Sequence, residues 1–243
     1  MLNSKVIFPS RKIIWSYLLA TRPQFIFAYF MISLGGLVIG RVQDMPHIGT
    51  GALALSLATV IVAAIGVHYR DEASDWDRGY DKVSGGMGVI RNGRLTSSEL
   101  RRWGIFFNII AFGLIIYQTV FNYDLLIVAV PASIVIIWPN FLTEEVRLGH
   151  EFFSAFSYWA TLLWIYIGQG WELTLPTAIF SVFVFLMAFA IIPFQDIGDY
   201  DVDKKSGKKT LAVSLGIDGV GHFSIFLILF SLLFLYATLL TLS

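Results

Sequence analysis

The chain has 243 residues, 56% of them hydrophobic, 16% aromatic and 14% charged, and its mean hydropathy of +0.72 excludes an ordinary soluble globular protein. Its 17 Lys and Arg balance 17 Asp and Glu, which excludes a protein that depends on a generally basic surface, and with it nucleic acid as a partner. It has no cysteine, so disulfides and thiolate metal sites are excluded as well.

A membrane helix needs roughly 20 mostly apolar residues. Seven stretches qualify, at 14–40, 48–69, 103–121, 123–142, 152–169, 174–195 and 219–242. The expected fold class is all-α, a polytopic membrane bundle of about seven transmembrane helices in a single domain over 1–243. Single spans must satisfy their own backbone hydrogen bonds, and no alternating barrel-strand pattern is present. With the N-terminus inside, every Lys and Arg other than Arg22 and Arg41 falls on the cytosolic side.

The first stretch carries Arg22 followed by Pro23 inside an apolar run. Arg22 is either a functional cation or an interfacial anchor that snorkels. No small-residue cleavage site follows a short apolar core, so this span is expected to be retained.

The second stretch runs into the longest polar segment, RDEASDWDRGYDKVSGGMGVIRNGRLTSSELRR at 70–102. If the helix continues, His68, Asp71 and Asp75 fall within about 60° of one another and Asp77 points elsewhere. Gly79 breaks the helix, so that Asp81 folds back toward the same point. The glycine-rich SGGMGVIRNGR at 84–94 lets backbone amides approach phosphate but has no P-loop pattern, so a phosphate role there rests on Arg91 and Arg94.

The third cytosolic loop brings Arg147, His150 and Glu151 toward the same mouth. The sixth stretch ends in QDIGDYDVDKKSGKKT. There Asp196, Asp199 and Asp203 share a helical face with Tyr200 while Asp201 points away. Both aspartate clusters thus lie at the ends of apolar segments on the cytosolic side. Carboxylates beside a bilayer are costly unless a cation occupies them.

Magnesium takes hard oxygen ligands, one or two carboxylates per ion together with waters and substrate phosphate oxygens, and two aspartate faces suit two or more ions around one diphosphate. Arg91, Arg94, Lys204, Lys205, Lys208 and Lys209 follow the clusters and supply positive charge for an anionic leaving group. The plainer reading is two solvated loops. A calcium loop starting at Asp199 is excluded, because Lys204 stands where glycine is needed and Thr210 where the bidentate glutamate belongs. His47 and His222 are isolated, and Trp159, Trp164 and Phe189 read as packing or interface aromatics, with cation–π contact as the sharper alternative.

TRPQF, the D-x3-D-x5-D of Asp71, Asp75 and Asp81 within DWDRGYDK, RLGHE, and above all DIGDYDVDKKSGKKTLAV resemble the UbiA superfamily of intramembrane prenyltransferases over residues 16–216. The first-motif spacing is most similar to the dihydroxynaphthoate prenyltransferases of menaquinone synthesis, with Asp71 where that family usually has Asn. The resemblance implies helices around a central cavity, usually nine, whereas one clear span follows residue 216 here, so the chain reads as either a short member or a truncated one.

The resemblance also implies Mg2+ on Asp71, Asp75, Asp81, Asp196, Asp199 and Asp203, with Asp71, Asp75, Asp199 and Asp203 catalytic. Contacts to a polyprenyl diphosphate fall to Arg22, His68, Arg91, Arg94, Arg147, Tyr200, Lys204 and Lys208. Ionisation of the diphosphate leaves an allylic cation that an acceptor attacks, commonly an aromatic ring of a quinone precursor. A porphyrin, haem or glycerol lipid is the other acceptor used on this scaffold, and a prokaryotic cell membrane is the implied location. A transporter with an acidic vestibule is the rival from another class, but carboxylates inside the predicted spans are nearly absent and no broken-helix repeat is evident. The CDP-alcohol phosphotransferases need a D-G-x2-A-R sequence that the chain lacks, and a scaffold without catalysis would keep its role after loss of the aspartates.

Overall fold

The computed structural model describes residues 11–46, 49–82, 86–142, 146 and 148–242. All regular structure among these residues is helical, as the composition requires. In chain order the helices are α1 (Arg11–Ala20), α2 (Pro23–Val42), α3 (Thr50–Arg78), α4 (Ser97–Phe121), α5 (Leu126–Ile137), α6 (Gly149–Gly168), α7 (Leu175–Ile197), α8 (Tyr200–Ser206) and α9 (Leu211–Leu242). Five of them, α2, α3, α4, α7 and α9, are long and apolar enough to cross a membrane. The other two predicted spans become α6 and the shorter α5, which is preceded by a 3₁₀ turn at Tyr123–Leu125.

The first predicted span is corrected. It is two helices, broken at Arg22, whose backbone is left-handed (φ 53°). Proline disfavours helical backbone in the residue before it and is itself well suited to the first position of a helix, so Pro23 ends α1 and starts α2. Arg22 therefore sits at a helix junction rather than inside a span.

The second half of α6 is buried on every side from Ala160 to Ile167, which makes it the axis of the bundle. It packs against α2, α3, α5 and α7, while α3 pairs with α4 and α7 with α9. Several polar side chains inside the bundle pair with one another or with helix-end carbonyls. Gln118 binds Ser56 and Thr59 (3.0 and 2.6 Å), and Arg70 and Asn108 donate to the carbonyls of Ile136 and Ile137 that end α5 (2.9, 3.2 and 3.1 Å). A short helix inside a membrane leaves its last carbonyls without water, and these side chains replace it.

The α3–α4 approach is set by glycine. A Cβ on Gly104 would lie 2.9 Å from the Gly66 carbonyl oxygen and 2.7 Å from Arg70 Cγ, closer than packed atoms allow. Gly104→Ala is therefore expected to cost about 1–3 kcal/mol by overpacking, read as a lower melting temperature in detergent. An unchanged melting temperature would show that the two helices separate freely.

Helix α3 is 29 residues long, about 43 Å at 1.5 Å per residue, so its last turns emerge beyond a hydrocarbon core of about 30 Å. Gly79 caps it in the left-handed conformation (φ 91°) and turns the chain back. The second cluster is bent, because α7 ends at Ile197 and α8 starts only at Tyr200. Both clusters lie at the same end of the bundle, with the Arg22 junction and the start of α6.

Candidate active site

A cavity of about 350 Å³ opens at that end and descends between α3, α5 and α6. Its mouth is lined by Asp71 and Asp75 of α3, Asp81 of the returning turn, Asp196 of α7, Asp199, and Asp203 of α8. All six aspartates named from the sequence share it. Its depth is apolar, reaching Val60, Ile115, Val128 and Trp164 beside Thr59, and Thr59 lies about 18 Å along α3 from Asp71.

Two cations offset the repulsion among the carboxylates. Lys208 Nζ lies 3.5 Å from Asp75 Oδ2 and so joins the second segment to the first. Arg22 lies 2.9 Å from Asp71 and 3.6 Å from Glu72. Burial works against charge on Lys208, but Asp75, Asp71, Asp203 and Asp196 outweigh it and hold the ammonium above the ordinary lysine range. Burial and the Glu72 carboxylate push Asp81 up to about 6. Burial also pushes Asp203 up to about 6, with Asp196 and Asp199 adding to it against the pull of Lys208. His150 reaches Asp196 across 3.5 Å.

Three oxygens of the aspartates lining the mouth, Asp75 Oδ1, Asp81 Oδ2 and Asp196 Oδ2, are buried without a hydrogen-bond partner. Unpaired anionic oxygens in a dehydrated mouth are unfavourable unless a cation meets them. Among the described residues no three His, Asp or Glu side chains converge closely enough to hold an ion by themselves. Magnesium keeps waters and takes substrate phosphate oxygens alongside one or two carboxylates. The donor set therefore fits ions that enter with a diphosphate.

The structure places the other predicted site residues unevenly. Lys208, Arg22 and His68 line the cavity. Arg91 and Arg94 are exposed and are not among the residues lining it; Arg91 reaches the Asp81 carbonyl instead (3.4 Å). Tyr200 does not share the Asp196–Asp199–Asp203 face, because the helix breaks at Asp199 (φ −106°, ψ 8°) before α8, and it pairs outside the cavity with Lys204 (3.3 Å, and 5.3 Å from ammonium to ring). Arg147 and His47 lie outside the described residues, as do Ser84 and Gly85 of the glycine-rich segment. Asp77 points away, as expected, and pairs with Arg101 at 2.5 Å. His150 lines the cavity; Glu151 instead is fully buried and accepts from the Leu211 N–H, tying the start of α9 to α6.

Sequence reasoning missed Glu72. Only 2% exposed, it accepts from the Met87 N–H with both oxygens (3.0 and 3.1 Å) and pairs with Arg22, so it binds the returning segment to α3. The signal was available, since Glu72 follows His68 by four residues and shares its side of the helix. Gly86 (φ 53°) is needed beside it: a Cβ there would collide with the Asp81 carboxylate and lie 3.1 Å from Glu72 Oε1.

The UbiA prenyltransferase family matches residues 29–243. Among solved structures, a UbiA homologue from Archaeoglobus fulgidus bound to GPP and Mg2+ superposes with a TM-score of 0.76 at 16% identity, covering 93% of this chain and 78% of that one. A UbiA homologue from Archaeoglobus fulgidus bound to DMAPP and Mg2+ gives 0.67 at 17% identity, with 93% and 85% covered. A digeranylgeranylglyceryl phosphate synthase gives 0.58 at 15% identity, with 91% and 76% covered. At these identities the likeness is one of fold. No curated protein matches the chain.

Proposed function

Because this chain belongs to the UbiA prenyltransferase family, we propose that it transfers a polyprenyl group from an isoprenoid diphosphate to an aromatic quinone precursor at the mouth of this cavity. The observation that carries the reading is the meeting of six aspartates from two distant segments above an apolar shaft. Asp71, Asp75 and Asp81 on one side and Asp196, Asp199 and Asp203 on the other would hold Mg2+, which supplies positive charge to the diphosphate as it departs. Lys208, fixed between the two segments, adds an ammonium to the same leaving group, where stabilisation grows with the developing charge.

The shaft accepts the prenyl tail and keeps water from the allylic cation, and Tyr158 and Trp164 on its wall offer ring faces to that charge. An aromatic acceptor is supported by the D-x3-D-x5-D spacing of Asp71, Asp75 and Asp81, and a cytosolic mouth in a prokaryotic cell membrane by the one-sided distribution of Lys and Arg. The test is diphosphate release from geranyl diphosphate by the protein in detergent, expected with Mg2+ and lost on chelation. A protein that releases none with Mg2+ and a phenolic acceptor present does not have this function. Mass spectrometry of copurifying lipid would identify tail and acceptor.

Lys208 and Lys204 separate the two sides of the site. Lys208→Met is expected to lower kcat by about 10²-fold, whereas Lys204→Ala, outside the cavity, should stay within about threefold of the parent. Equal losses in both would move the leaving group out of the cavity.

A further inference from the structure

One turn below Asp71 on α3, the cavity wall carries a polar notch. His68 is 9% exposed and lines the cavity, and its Nε2 is buried without a hydrogen-bond partner. Tyr29 lies beside it, ring centroids 6.5 Å apart, and also lines the cavity. The hydrogen-bond direction at Tyr29 follows from its neighbours. Ser157 donates its single hydroxyl proton to the Ser154 carbonyl (2.6 Å), so in the 2.9 Å pair of Tyr29 with Ser157 the tyrosine is the donor. The Tyr29 oxygen then has only lone pairs to offer elsewhere.

We propose that His68 and Tyr29 hold a hydroxyl group of the acceptor. The inference rests on reading the cavity as a prenyl-transfer site and names the chemistry of its second substrate. A hydroxyl donates its one proton to the Tyr29 oxygen and accepts on a lone pair from His68 in the Nε2–H tautomer. A carboxylate cannot donate to Tyr29. Phe25, 5.3 Å from the His68 ring, and Tyr158, 5.0 Å from the Tyr29 ring, give the notch aromatic flanks suited to a flat ring. Its position directly beneath the aspartates brings that ring to the end of the prenyl chain where the diphosphate leaves.

The experiment uses the full chain in detergent with Mg2+ and geranyl S-thiolodiphosphate, an analogue that does not ionise readily, and measures binding by calorimetry. To that complex 1-naphthol and 1-methoxynaphthalene are added, rings of nearly the same shape that differ in the hydroxyl proton. The unaltered protein is expected to bind 1-naphthol about tenfold more tightly, the worth of one buried hydrogen bond. Tyr29→Phe and His68→Phe should each remove most of that preference, and Tyr29→Phe, which removes only an oxygen, should bind the thiolodiphosphate as before. No binding of the thiolodiphosphate to the unaltered protein overturns the prenyl-transfer reading and this inference with it. Thiolodiphosphate binding with equal affinity for the two rings, with neither ring bound, or with a preference that survives both substitutions overturns this inference alone.

Discussion

Asp75→Ala and Asp203→Ala proteins are expected to fold and to have no measurable turnover, a loss of at least about 10²–10³-fold in kcat, the scale of removing one preorganised electrostatic contact from a transition state. Both side chains are nearly buried and both face the cavity rather than an apolar core. Asp75 has Asp71 and Asp81 close by, with one oxygen unpaired. Burial disfavours the ionised form of Asp203. Removing either carboxylate therefore relieves an electrostatic cost of the fold, while Lys208 keeps the attraction of Asp71, Asp196 and whichever of Asp75 and Asp203 remains. The melting temperature is expected to stay level or rise by a few degrees, a site that trades stability for function. Turnover assays and thermal unfolding on the same preparations check both halves. Activity close to the parent in either variant would remove that residue from the metal site, and a collapse of the fold would make it structural.

Arg22→Ala is expected to be the most destabilising single change at the mouth. The guanidinium is largely buried between Asp71 and Glu72, and Glu72 also holds Met87. Truncation leaves the buried Glu72 and the partly buried Asp71 without their shared cation, and losing one partner of a buried pair costs about 3–5 kcal/mol. Glu72, which anchors the returning segment, would lose the cation that holds it in place, so diphosphate binding should weaken along with stability. Arg22→Lys keeps the charge but not the fork that reaches both carboxylates, and should fall between the two. A melting temperature for Arg22→Ala equal to that of the parent would mean that the junction holds without its ion pairs, and that Arg22 serves substrate alone.

The positions of the aspartates were legible because the rules that place them are local. A 3.6-residue period put His68, Asp71 and Asp75 together, and Gly79 marked the turn that returns Asp81. The same local reasoning was too generous with cations. Arg91 and Arg94 follow the first cluster and Lys204 stands nearer the second in the sequence than Lys208 does, yet Lys208 alone of these lines the cavity. A long side chain reaches wherever its helix end is aimed, and the aim of α8 depends on how α7 and α9 pack. The break at Arg22 lay behind an unbroken apolar run, although the proline that causes it was in view.

Composition and periodicity by themselves determined that this chain is a helical membrane protein with two acidic clusters at the ends of its apolar segments, because burial in lipid and helical phase are properties of neighbouring residues. Only the tertiary structure decided which cations meet those carboxylates, that Glu72 anchors the returning segment, and that His68 and Tyr29 share one wall. Those partners lie as far apart in the chain as Asp75 and Lys208, which ion-pair across the mouth. Helix packing, rather than any spacing in the sequence, sets the distance between such groups.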